Sequence, residues 1–183
     1  VKLVVSREET FITHRGRPEQ TTFMKIGMTK DGRITAVDCR TIQRGGAHSG
    51  YGIVTVLYSG SMIFALYDLR AVRYDGRRVL TNTPPPGAFR GHGTVNVRFA
   101  FENLLDAMAH ELGLDPFAVR RANLLSAPTF TANDLMVNSY GLPDCLDWIE
   151  QASGWRQRKG AMGPGSGLGM ACSHYISGAS KPK

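Results

Sequence analysis

Only three cysteines occur in 183 residues, Cys39, Cys145 and Cys172, and no two stand in a Cys-x-x-Cys pair. That scarcity excludes a zinc ribbon or an iron–sulfur cluster encoded by this chain alone. An odd count without secretory features suits a reducing compartment, so the expected localisation is cytoplasmic, with all three thiols buried and structural. No apolar run approaches the roughly 18–20 residues that a membrane-crossing helix needs, and no signal peptide opens the chain. No internal repeat is present. The glycine-rich break Gly45-Gly-Ala-His-Ser-Gly-Tyr-Gly52 has neither G-x-G-x-x-G nor Walker spacing, which leaves an irregular loop.

Positive charge is in excess, at +7 with a pI near 9.6. The arginines are dispersed, however, and no Lys/Arg stripe with interleaved aromatics stands out, so specific nucleic-acid binding is not expected. Such a surface can receive an acidic partner subunit or an anionic substrate tail. The alternative it leaves open is a non-catalytic basic interaction fragment.

Hydrophobic residues make up 42% of the chain, ordinary for a globular domain. Residues 1–80 read mainly as strands. Val1–Val5 alternates, and Phe23–Met28 and Ile34–Cys39 flank the Lys30-Asp-Gly-Arg33 turn as a hairpin. Ile53–Leu66 fits either a helix or a buried strand. Val72–Tyr74 and Arg78–Leu80 read as short strands around an Asp75–Gly76 turn. Residues 94–152 read as helices. Phe101, Leu104, Leu105, Met108 and Leu112 recur at three- and four-residue spacing before Gly113, Asp115-Pro116 caps a second helix, and a third starts near Pro143. A last strand is expected over 167–178. This order gives an α+β fold. The chain opens on Val and ends on Ser180-Lys-Pro-Lys183, so it is expected to be an internal piece, 1–183, of a longer protein.

Between strands and helices lies Thr81-Asn-Thr-Pro-Pro-Pro-Gly-Ala-Phe-Arg-Gly-His-Gly93, with three prolines and three glycines in thirteen residues. Such a loop is forced through defined turns, and glycine lets backbone amides approach a ligand closely. At a helix N-terminus it is suited to hold an anion or a polar cofactor edge.

The blocks Asn82-Thr83-Pro84, Gly87-Ala-Phe-Arg-Gly91, Phe99-Ala-Phe-Glu102, Leu112-Gly-Leu-Asp-Pro116 and Arg120-Arg-Ala-Asn123 resemble, in order and spacing, the molybdenum-binding subunit of the xanthine dehydrogenase/aldehyde oxidase family. Arg7-Glu-Glu9, His14-Arg-Gly-Arg-Pro18 and Gly167-Leu-Gly-Met-Ala171 extend the likeness over nearly the whole chain. The resemblance implies that Ala88, Phe89, Arg90 and Gly91 lie against the molybdenum centre, with Arg90 in an electrostatic or orienting role.

His92 stands where purine-oxidising members carry a stacking phenylalanine, and no arginine occurs around Tyr58, where they carry a substrate-orienting one. Both differences argue against xanthine as substrate. His92 can donate a proton or cap the following helix, and as a lone histidine it is no metal site. Tyr58 can hydrogen-bond a substrate oxygen or pack with its hydroxyl satisfied. The copper-binding cysteine of carbon monoxide dehydrogenases is missing from the loop, and the family's general-base glutamate falls outside the chain, so the chain alone is expected to be inactive.

Within the family, Thr83–Asn96 looks most similar to 4-hydroxybenzoyl-CoA reductases. That likeness implies reductive removal of a para-hydroxyl from an aromatic CoA thioester, with His92 protonating the ring. It implies molybdopterin cytosine dinucleotide with molybdenum in the full subunit, Fe–S clusters and FAD on partner subunits, and a ferredoxin-type electron donor. A molybdenum hydroxylase acting on an aldehyde or N-heterocycle is the alternative.

Overall fold

The structure, a computed structural model, describes residues 1–48 and 50–175. Three strands form one sheet in the order β1–β2–β3: β1 is Gln20–Met28, β2 Ile34–Arg44 and β3 Val72–Val79. The β1–β2 pairing is the hairpin expected at Asp31–Gly32, and Gly32 supplies the left-handed residue, at φ +85°. β3 runs parallel to β2. A parallel partner needs a crossover, and the crossover carries a helix, Gly52–Ser61, which settles the ambiguous segment. We number it α2, after the short α1 at Arg7–Thr13.

α3, Thr94–Glu111, is the long helix the periodicity indicated. It buries Val97, Phe101, Leu105 and Ala109 in one row, against Val37 and Cys39 of β2 and Ile63, Leu66 and Tyr67 from the crossover. Each of the larger ones, Val97, Phe101 and Leu105, contributes on the order of 1.5–3 kcal/mol on removal from water. Leu104 and Met108 sit half-buried on its flank, and Leu112 is 38% exposed. α4, Pro116–Ala122, starts from Asp115, whose carboxylate accepts from the Phe117 amide at 2.8 Å. β4 (Thr129–Phe130) and β5 (Met136–Val137) form a small ribbon, followed by α5 (Leu142–Ser153) and α6 (Trp155–Arg158). The architecture is α+β, as expected.

Four local expectations are corrected. Val1–Val5 is exposed and outside any strand, and Ser6 with Glu9 forms a capping box that starts α1 instead. Val72–Val79 is one strand, not two. The Tyr74 ring lies across Gly76, where a Cβ would come within 2.7 Å of it, while the Tyr74 hydroxyl donates to the Val56 carbonyl at 2.8 Å. Packing against α2 therefore overrides the Asp-Gly turn signal. Residues 167–175 form no strand. The Cys172 amide donates instead to the Glu102 carboxylate at 2.8 Å. The rest of the expected strand, 176–178, lies outside the described residues. Finally, Cys145 is exposed, whereas Cys39 and Cys172 are buried.

Glu102, assigned no role from sequence, anchors the core's polar network. It is 3% exposed, accepts from Tyr67 Oη at 2.9 Å and from Arg120 Nε at 2.9 Å, and lies near Arg98. Arg120 is fully buried and also pairs with Asp106 at 2.8 Å. Buried charges are tolerated when paired and hydrogen-bonded in this way.

Candidate functional site

The loop 81–93 leaves β3 and enters α3, and its first half is zipped to the glycine-rich break. Gly45 N donates to Val79 O at 2.7 Å, Thr81 N to Gly46 O at 3.1 Å and Ala47 N to Thr83 O at 3.0 Å. Gly46 has φ +75°, and a Cβ there would lie 2.3 Å from Pro85 Cα. The two irregular segments thus interlock at a contact only glycine allows. Arg78 reaches back from β3 to the carbonyls of Gly45 and His48.

The second half is held by the segment before β1. Gly87 N donates to Gly16 O at 3.1 Å, and Arg17 Nη2 donates to the Arg90 carbonyl. The Arg17 guanidinium lies 5.1 Å over the Phe89 ring. Asn96 Nδ2, in the first turn of α3, donates to Pro18 O at 3.1 Å. Pro86 and Gly87 are buried, while Ala88, Phe89 and Arg90 face outward. Among the described residues the amides of Ala88, Phe89 and Arg90 find no acceptor. Nor does any ion pair there involve Arg15, Arg17, Arg78 or Arg90. Open amides on a loop flanked by arginines without carboxylate partners suit an electron-rich or anionic group.

His92 is 8% exposed and placed between two rings. Its centroid is 5.4 Å from that of Tyr51 and 5.4 Å from that of Tyr58, with interplanar angles of 26° and 21°. Tyr175 continues the stack beyond Tyr58, at 6.3 Å. His92 Nε2 is 2.6 Å from Thr55 Oγ1. Burial, aided by the positive charge of Arg17, holds the imidazole below its usual pKa, so it is neutral at pH 7. Gly93 has φ +78°, and a Cβ on it would lie 2.5 Å from Thr55 O and 2.8 Å from Ser59 N. Ser59 Oγ donates to Gly93 O at 3.0 Å. α2 and the loop therefore touch backbone to backbone, which brings Tyr58 and His92 together.

The structure thus gathers the sequence-predicted residues Tyr58, Ala88, Phe89, Arg90, Gly91 and His92 around one loop, with His92 inside and Phe89 and Arg90 outside. Sequence reasoning missed Thr55, Tyr51 and Arg17. The first two carry no local signal. The third stands in His14–Pro18, a block singled out without a role. No cluster of metal-binding side chains occurs among the described residues. A group bound here would be held by backbone amides and guanidinium charge, and the unbonded amides fit a polar cofactor edge. Among the described residues no helix is long and apolar enough to cross a membrane.

A family model described as the molybdopterin cofactor-binding domain matches residues 1–124. The chain is 32% identical to the xanthine dehydrogenase molybdenum-binding subunit of Escherichia coli O157:H7, over 97% of this chain and 24% of that one. It is 35% identical to the nicotinate dehydrogenase large molybdopterin subunit of Eubacterium barkeri, over 80% of this chain and 35% of the relative. Among solved structures, quinoline 2-oxidoreductase from Pseudomonas putida 86 superposes with a TM-score of 0.79 at 28% identity, covering 86% of this chain and 21% of that one. Aldehyde oxidoreductase from Desulfovibrio gigas gives 0.70 at 28% identity, over 78% and 16%. The chain therefore spans about a quarter to a third of the length of these curated relatives.

Proposed function

The chain belongs to the molybdopterin cofactor-binding domain family of xanthine dehydrogenase/aldehyde oxidase-type large subunits, and from that premise we propose that it forms one wall of the molybdenum site in a longer oxidoreductase subunit. The observation that carries the reading is the run Ala88–Arg90, whose amides are open and whose backbone is held at both ends. These amides and that of Gly91 would hold the cofactor's polar edge, and Arg90 would add fixed positive charge beside it. The cofactor, when bound, supplies the redox chemistry. We take it to be molybdopterin cytosine dinucleotide, with Fe–S clusters and FAD on partner subunits completing the electron path.

For the substrate, the first reading is oxidative hydroxylation of an N-heterocycle or aldehyde. The relatives named for nicotinate, quinoline and aldehyde support it, as does the near-parallel stack of Tyr51, His92 and Tyr58, a shelf suited to planar rings. The second reading is a 4-hydroxybenzoyl-CoA reductase drawing on a ferredoxin-type donor. It rests on the likeness of Thr83–Asn96 and on a buried imidazole that can pass a proton through Thr55. Tyr58 orients a substrate oxygen in either case.

The test is the full subunit co-expressed with its partners, assayed for molybdenum and CMP, then for oxidation of nicotinate and benzaldehyde and for reduction of 4-hydroxybenzoyl-CoA. His92→Phe keeps the stack and removes the ionisable nitrogen. Hydroxylase turnover that survives this change, with the CoA ester untouched, supports the first reading. Dehydroxylation lost in His92→Phe at unchanged molybdenum content supports the second. A folded complex without molybdenum contradicts both.

A further inference from the structure

Resting on the cofactor-loop reading, we propose that Arg17 is a positioning residue: with Gly16 and Pro18 it forms a strap that fixes the Arg90–Gly91 peptide and so the direction in which the Gly91 amide points. The strap meets the loop at Gly87, Phe89 and Arg90, and meets the first turn of α3 at Asn96. Gly16 O accepts from Gly87 N at 3.1 Å, Arg17 covers the Phe89 ring and binds the Arg90 carbonyl, and Pro18 O accepts from Asn96 at 3.1 Å. The side chain of Arg15 lies where a Cβ on Gly87 would go, with Cδ 2.9 Å from that point. The strap's own anchorage is β1. Gln20 Oε1, on its first residue, lies 3.3 Å from Ser59 Oγ, the hydroxyl that donates to Gly93 O.

The consequence for the loop follows from peptide geometry. The C=O and N–H of one peptide plane point in opposite directions. Pinning the Arg90 carbonyl to Arg17 therefore aims the Gly91 N–H away from the strap. Gly91, at φ +76°, turns the chain there so that Val95 N can donate back to Gly91 O at 3.2 Å and start α3. Arginine suits the task because a planar fork can lie flat on Phe89 and donate at its edge, which a lysine ammonium cannot do. An ordinary structural role is poorly served by this residue. It has no carboxylate partner, and Arg17 Nη1 is buried with no acceptor among the described residues.

The experiment is amide hydrogen exchange read by mass spectrometry on the full subunit in its complex, comparing wild type, Arg17→Gln, Arg17→Lys and the control Arg73→Gln. Arg73 is exposed at the sheet edge and, among the described residues, paired only with Asp38. Both Arg17 variants are expected to speed exchange in the peptide 86–96 by roughly tenfold, the scale of one lost charge-assisted hydrogen bond, while peptides of β2 and the middle of α3 stay as in wild type. At equal molybdenum content kcat should fall roughly ten- to a hundredfold with KM nearly unchanged, as for a misaligned reaction geometry. Unchanged exchange over 86–96, or a rise shared equally by the β2 core, overturns the proposal. The exchange result stands even if no molybdenum is found, in which case the cofactor reading alone fails.

Discussion

Two glycines decide how closely the loop can lie on its neighbours. Gly46 carries Pro85 against its backbone, and Gly93 lies on the α2 backbone at Thr55 and Ser59. At Gly93 a methyl group would meet backbone atoms, which cannot swing aside as a side chain could. The positive φ adds a penalty of about 1–2 kcal/mol for any L-residue. Gly93→Ala is therefore expected to destabilise the chain by about 2–4 kcal/mol in urea unfolding, strain and clash together. The stack of His92 on Tyr58 should loosen with it. A variant as stable as wild type would mean that the loop does not touch α2. The cysteines separate at the same scale. Burial, reinforced by Asp38, pushes the Cys39 thiol up to about 12, so it is inert, while Cys145 lies open.

Among the elements, those dictated by chemistry within a few residues were legible in the sequence. Asp115-Pro116 starts α4, Gly113 at φ +66° ends α3, and Asp31–Gly32 turns the hairpin. Elements that depend on distant partners were not. The Asp75–Gly76 turn signal lost to Tyr74 packing on α2, and segment 168–175 ties its Cys172 amide to Glu102 and joins no ladder. The strap is a further case. Arg17 and Arg90 are 73 positions apart, and no local pattern joins them. The loop was legible as a constrained turn before a helix, but its link to molybdenum came from resemblance, because open amides leave no signature in side-chain identity.

Segment 168–175 also carries a pH dependence. Burial and the nearby Arg98 charge push His174 down to about 4. Its unfolded value is about 6.5, so on acidification the unfolded chain takes the proton first. Stability is then full above pH 6.5 and falls as pH drops towards 4. His92, depressed for similar reasons, acts in the same direction. Thermal unfolding midpoints should fall across this window, and His174→Phe should flatten part of the fall. Equal slopes in the two proteins would show that His174 titrates normally.

At the scale of the whole molecule, a three-stranded sheet supports one long helix, and the loop between them is held from both sides. Leu3, Phe11, Phe99 and Trp148 are between 70% and 86% exposed. They lie on separate elements, α1, α3 and α5 among them. In a longer subunit, as proposed, those side chains would meet the rest of the chain and the loop would meet the cofactor. The most direct measurement compares hydrogen exchange over residues 86–96 in molybdenum-loaded and cofactor-free forms of the full subunit. Slowed exchange at Ala88–Gly91 in the loaded form, with the exposed face of α5 unchanged, is the expected result. Equal exchange in the two forms would contradict the placement of the cofactor against this loop.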